Sequence, residues 1–134
     1  MRQHTQLGYL VEPSSLRGRS ILVVEDEPLI ALDIVDCFRQ AGASVYSAHN
    51  LRDGLRLAHH PDLSAAVVDF GLGDGDGAGL CDLLKERGVP FVLHTGYSHP
   101  SEACQSGVLV PKPAAPLELV TTVTRLLQSE RSAL

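Results

Sequence analysis

Ser20-Ile21-Leu22-Val23-Val24-Glu25-Asp26-Glu27 is the stretch on which the fold turns. Its apolar run has no polar alternation and is rich in β-branched residues, the mark of a short strand buried on both faces. Three carboxylates stand at the run's carboxyl end. Pro28 follows where a first helical turn tolerates it. Ile30, Ile34, Phe38 and Ala41 then recur at helical spacing, with Asp33, Asp36 and Arg39 between them, and Gly42 ends the helix. The stretch is therefore the start of a strand–helix unit.

Outward from it the unit repeats. Val45-Tyr46-Ser47-Ala48 reads as a weaker strand, and Asn50 caps a helix running to about His60. Ala65-Ala66-Val67-Val68 is a second buried strand, ending at Asp69. A glycine-rich loop, Gly71 to Gly77, leads into a helix from about Ala78 to Arg87. Phe91-Val92-Leu93-His94-Thr95 and Val108-Leu109-Val110 complete five strands, and a last helix runs from about Pro116 to Ser129. Strands alternating with helices predict right-handed βαβ units and an open parallel sheet with helices on both faces. Gly96 to Ser106 is the weak link, since Gly96, Ser98, Pro100, Ser101 and Ser106 leave at most Ser101 to Gln105 for a helix. Residues 1–19, polar and containing Pro13-Ser14-Ser15, read as a flexible leader. The folded domain is expected over 20–129, with a short tail at 130–134.

The chain has 134 residues, 44% hydrophobic and 20% charged, the balance of one globular domain. A net charge of -5 and no basic block beyond Arg17-Gly-Arg19 argue against nucleic-acid binding. No stretch approaches the roughly 18 apolar residues needed to span a bilayer, and no signal-peptide core is present at the N-terminus. A cytoplasmic location without membrane attachment is expected. Cys37, Cys81 and Cys104 are odd in number and lack C-x-x-C spacing, so three reduced thiols are expected rather than a disulfide or zinc site. His59-His60 would point about 100° apart on a helix and would not share a metal easily.

In such a sheet, ligands bind beyond the carboxyl ends of the strands. Those ends carry Glu25, Asp26 and Glu27, then Asp69, then Thr95, and finally Lys112 between Pro111 and Pro113. Crowded carboxylates need a cation, and hard oxygen ligands in an open site suit Mg²⁺. One carboxylate can then act as a nucleophile toward phosphorus. The charge spread over a transferring phosphoryl group calls for a metal, an ammonium and a hydroxyl donor. The constellation reads as a phosphoryl acceptor.

Leu22-Val23-Val24-Glu25-Asp26-Glu27, Val67-Val68-Asp69 followed by Asp76-Gly77, Thr95-Gly96 and Lys112-Pro113 together resemble the receiver domain of two-component signalling, over roughly residues 19 to 129. The resemblance implies an α/β fold, a doubly wound five-stranded parallel sheet in the flavodoxin-like order 2-1-3-4-5. It implies phosphorylation of Asp69, with Mg²⁺ held by Asp26, Asp69 and the backbone carbonyl of Gly71, and by Glu25 mostly through water. Lys112 would pair with the phosphoryl group and Thr95 would hydrogen-bond it. The implied role is a phosphoacceptor rather than an enzyme acting on a separate substrate. A sensor histidine kinase would be the donor, and a phosphotransfer protein or other target the recipient.

Departures narrow the subgroup. Gly73 stands where receivers usually carry Pro, Leu109 replaces the switch aromatic, and Ala114 replaces the Phe that often follows Lys-Pro. Pro90 to Tyr97 resembles the "FATGUY" sequence of an alphaproteobacterial receiver group whose donors are commonly HWE-type kinases, with His94 in place of the usual Ala.

Other readings carry less. Asp69 alone would pass for a helix cap or turn residue; Asp26, Thr95 and Lys112 in register argue otherwise. Gly71 to Gly77 lacks the closing Glu of a calcium-binding EF-hand loop. Glu27 is expected to be a solvated carboxylate, His94 a core or helix-facing residue pointing away from the crevice, and Tyr97 a residue near the site mouth. A phosphatase of the haloacid dehalogenase type would want a second Asp where Gly71 stands. A degenerate receiver acting as a phosphorylation-independent adaptor would not need the intact Asp26, Asp69, Thr95 and Lys112. The segment Gly96 to Ser106 is expected to be loosely ordered without phosphate and to respond to it.

Overall fold

The computed structural model describes residues 15–69, 77–96 and 102–132. Five strands alternate with helices: β1 (Ser20–Val24), α1 (Pro28–Gln40), β2 (Ser44–Ala48), α2 (Leu51–Leu57), β3 (Ala65–Asp69), α3 (Ala78–Glu86), β4 (Phe91–Thr95), a 3₁₀ helix (Glu102–Ser106), β5 (Val108–Pro111) and α4 (Pro116–Ser132). The sheet order is β2-β1-β3-β4-β5, and every pairing is parallel. This is the flavodoxin-like order that the motif resemblance implied.

Strand alternation builds two cores from one sheet. Ile21, Val23, Ala65, Val67, Val92 and Val110 face Ile34, Val35 and Phe38 of α1 and Leu119, Val120, Val123 and Leu127 of α4. Leu22, Val24, Ala66, Val68, Phe91 and Leu93 face Leu80, Cys81 and Leu84 of α3. The central strands β3 and β4 are buried along their whole length, whereas the edge strands β2 and β5 are largely exposed or half-buried. Burial on both faces explains why the central strands read as unbroken apolar runs.

The helix boundaries follow local chemistry. Gly42 adopts φ 98° just beyond α1, a conformation that costs glycine little. The Asn50 side chain accepts from the Asp53 amide at 2.8 Å and caps α2. That helix stops at Leu57, short of the expected His60, because Pro61 disfavours helical backbone in the residue before it. Gly54 lets α2 lie directly on β1: a Cβ there would sit 3.1 and 3.2 Å from the two Val24 methyls. The buried stripe of α1 is Ala31, Ile34, Val35 and Phe38, and Ile30, expected inside, is 39% exposed.

Three further expectations need correction. Leu16 lies in the stretch read as leader, yet it is 1% exposed, packs in the α1–α4 core and donates its amide to Ala41 at 2.8 Å. One large aliphatic residue suffices to dock a short segment, so the packed body begins by Leu16; residues 1–14 lie outside the described residues. At the other end α4 continues to Ser132, into the stretch read as tail. Finally, the cysteines are not all reduced: Cys81 on α3 and Cys104 in the 3₁₀ helix form a disulfide, with Cα atoms 5.1 Å apart, and Cys37 is free. Motif spacing misses such a pair, because the crossover through β4 brings together residues 23 apart in sequence. No helix among the described residues is long and apolar enough to cross a membrane.

Candidate functional site

The carboxyl ends of the strands bring together Glu25 and Asp26 just after β1, Asp69 at the end of β3, Thr95 at the end of β4 and Lys112 just after β5. Glu25, Asp26 and Asp69 each offer a carboxylate oxygen, and these oxygens lie within 4.8 Å of one another. Lys112 Nζ is 2.9 Å from Asp69 Oδ1 and 4.0 Å from Glu25 Oε1. The β4–β5 pairing continues past β5, with the Lys112 amide donating to the Thr95 carbonyl at 2.8 Å. That bond anchors the lysine backbone beside the threonine.

Glu25 is strongly perturbed. It is 1% exposed, and the Glu27 amide donates to its Oε2 at 3.1 Å. Its Oε1 is buried and has no hydrogen-bond partner among the described residues. Burial pushes the Glu25 carboxyl up to about 7; the Glu27 amide and the Lys112 ammonium pull down, and the negative Asp69 adds to the rise. For Lys112, burial works against the charged form, but the hydrogen bond to Asp69 and the carboxylates of Asp69, Glu25 and Asp26 outweigh it. The ammonium is therefore held more firmly than an ordinary lysine.

This donor set fits a hard divalent cation. Three carboxylates converge on one point, the buried Glu25 Oε1 has no hydrogen-bond partner among the described residues, and Asp26 stays exposed toward solvent. A cation there would offset the Asp69 repulsion that adds to the rise of Glu25 caused mainly by burial.

Five of the six expected site residues, Glu25, Asp26, Asp69, Thr95 and Lys112, thus meet at one crevice. Gly71 lies outside the described residues, as do Gly73, Asp76 and Tyr97. Glu27 is exposed, as expected of a solvated carboxylate, and its contribution is the backbone amide that steadies Glu25. No side-chain pattern could have announced that role. His94 is 4% exposed and is the register neighbour of Asp69 on β3. It lines a cavity of about 300 Å³ with Ile30 and Ile34 of α1 and Pro116 of α4, so the ring faces those helices, but Lys112 lines the same cavity and keeps His94 beside the site. Burial lowers the His94 pKa, the nearby Lys112 lowers it further, and Asp69 and Glu118 oppose the fall.

The family model of the response regulator receiver domain matches residues 21–124. The chain belongs to that family. This receiver is 28% identical over 120 residues to the phyllosphere-induced regulator PhyR of Methylorubrum extorquens, an alignment covering 84% of this chain and 45% of PhyR. It spans less than half the length of the curated relatives it matches. A CheY-like receiver domain protein from Methanospirillum hungatei superposes with a TM-score of 0.76 at 23% identity, over 87% of this chain and 98% of that one. The receiver domain of the sensor histidine kinase PA1611 from Pseudomonas aeruginosa superposes with a TM-score of 0.70 at 25% identity, over 83% and 98% of the two chains. The latter holds a magnesium ion coordinated in its active-site cleft. The present chain is thus a receiver of two-component signalling.

Proposed function

We propose that this receiver accepts a phosphoryl group on Asp69 from a histidine kinase, in a reaction dependent on Mg²⁺, and signals by binding or relaying to a partner protein. The observation that carries the reading is the Lys112 ammonium 2.9 Å from an Asp69 oxygen, within a convergent set of three carboxylates. A cluster built only for stability would not leave a buried Glu25 oxygen without a hydrogen bond among the described residues.

The residues divide the work. Asp69 attacks phosphorus through a carboxylate oxygen, forming an acyl phosphate as the donor's bond to phosphorus breaks. Asp26 and Asp69 would hold Mg²⁺, with Glu25 acting mostly through water; the resemblance adds the carbonyl of Gly71, which lies outside the described residues. The ion, when bound, neutralises charge on the transferring group. Lys112 exchanges its partner, moving from the Asp69 carboxylate to a phosphoryl oxygen, and Thr95 donates its hydroxyl to another. The resemblance of Pro90 to Tyr97 to the FATGUY group favours an HWE-type kinase as donor. The recipient is a phosphotransfer protein or a direct target, with no nucleic acid in the contact.

Acetyl phosphate with Mg²⁺, read by intact mass, tests the assignment. One phosphoryl group should be added to the native chain and none to Asp69→Asn. Undiminished labelling of that variant would refute it.

A further inference from the structure

The Cys81–Cys104 pair joins two segments that each follow a strand carrying site chemistry. Cys81 lies in the first turns of α3, downstream of Asp69; Cys104 lies in the 3₁₀ helix between Thr95 and Lys112. Both are 0% exposed, while Glu102, Gln105 and Ser106 around Cys104 are exposed. A five-residue 3₁₀ helix has poor hydrogen-bond geometry and little stability of its own. Cys104 fixes it to α3 both by the disulfide and by packing in the same apolar cluster as Leu80, Cys81 and Leu84.

The fold also has a seat for the reduced pair. Cys104 Sγ lies 3.8 Å from the Gly77 carbonyl oxygen, so a thiol there has an acceptor in reach. Cys81 remains on the buried face of α3 beside Leu80 and Leu84, where a free cysteine behaves as a small apolar residue. Breaking the bond therefore leaves no orphaned group and does not dismantle the core. It removes only the covalent tie on the connection between Thr95 and Lys112.

The geometry points to a reversible thiol–disulfide site at Cys81 and Cys104, with small disulfides of the glutathione class as its oxidant, that clasps the 3₁₀ helix to α3. Cys104 reacts first, because its helix is the one that can lift. Its thiolate attacks one sulfur of the small disulfide, forming a mixed disulfide and expelling one thiolate. The Cys81 thiolate then attacks the Cys104 sulfur, closes the protein disulfide and expels the second. Two protein S–H bonds are lost and one S–S bond forms; two electrons pass to the small disulfide, which leaves as two thiols once the protons are taken up. An excess of the small thiol runs the sequence backward.

The test uses the full chain and no phosphodonor, so its outcome is independent of the phosphoacceptor reading. The protein is equilibrated, folded, at graded ratios of reduced to oxidised glutathione, acid-quenched, unfolded, alkylated and mapped by peptide mass. Cys81 and Cys104 should lose alkylation together as the oxidised form rises and regain it when reduced glutathione is restored, independently of Cys37. Amides of Glu102 to Gly107 should exchange at least about tenfold faster in the reduced form. Pairing that survives a large excess of reduced glutathione, glutathione retained on one cysteine without closure, or equal exchange in the two forms overturns the inference. Cys81→Ala should reproduce the fast exchange permanently; if it fails to fold, the titration of the native chain still decides.

Discussion

Replacing Glu25 by Gln should stabilise the metal-free protein at pH 8. The reason is burial: the Glu25 carboxyl, 1% exposed and next to Asp69, is pushed up from 4.5 to about 7. A carboxyl whose folded pKa is raised binds its proton more tightly in the native state than in the unfolded one. Stability is then lost as pH rises from about 4.5 to about 7 and stays at the lower level above that. At about 1.36 kcal/mol per pKa unit, the penalty reaches roughly 3 kcal/mol. Gln removes the charge and keeps an oxygen to accept from the Glu27 amide, which now donates to Glu25 at 3.1 Å. Urea unfolding in a chelator at pH 4, 5, 6, 7 and 8, followed by circular dichroism, measures the difference. Native and E25Q should have similar stability at the acid end and diverge through the window, with E25Q more stable by up to roughly 3 kcal/mol at pH 8. Saturating Mg²⁺ should shrink the gap by compensating the native carboxylate. A difference that is independent of pH, or an E25Q less stable at pH 8, would refute the account of Glu25 as a buried, unfavourable charge.

Mg²⁺ titration should weaken more in Asp26→Asn than in E25Q, since Asp26 is the exposed carboxylate expected to touch the ion, whereas Glu25 is expected to act through water. Equal losses in isothermal titration would reverse that ligand order. Lys112→Ala should slow acetyl-phosphate labelling of Asp69 by about 100-fold, because it removes the ammonium 2.9 Å from the acceptor; labelling at the native rate would remove Lys112 from the chemistry. Leu16→Ala should cost ~2–5 kcal/mol in urea unfolding, as for other large-to-small core changes. A loss below 0.5 kcal/mol would return residue 16 to the leader.

Much of this molecule was legible in its chain because parallel sheets write themselves plainly. Ile21 to Val24 and Ala65 to Val68 are buried on both faces, so they read as apolar runs, and the carboxylates, Thr95 and Lys112 fall at their ends or beyond. Chain connectivity alone places strand ends on one side of such a sheet, and that brings Glu25, Asp26, Asp69, Thr95 and Lys112 to the same edge. What tertiary structure decided depends on contacts between segments far apart in the chain. The Lys112–Asp69 contact and the raised pKa of Glu25 depend on how deeply one carboxylate is buried and what it lacks. Leu16 looked like leader because one apolar residue carries no period; only its packing in the α1–α4 core reveals it. Cys81 and Cys104 looked like unrelated thiols because disulfide pairing depends on spatial distance, and they lie 23 positions apart in sequence while their Cα atoms stand 5.1 Å apart. Periodicity reports which face of an element is buried; it is blind to which distant residue waits on the other side.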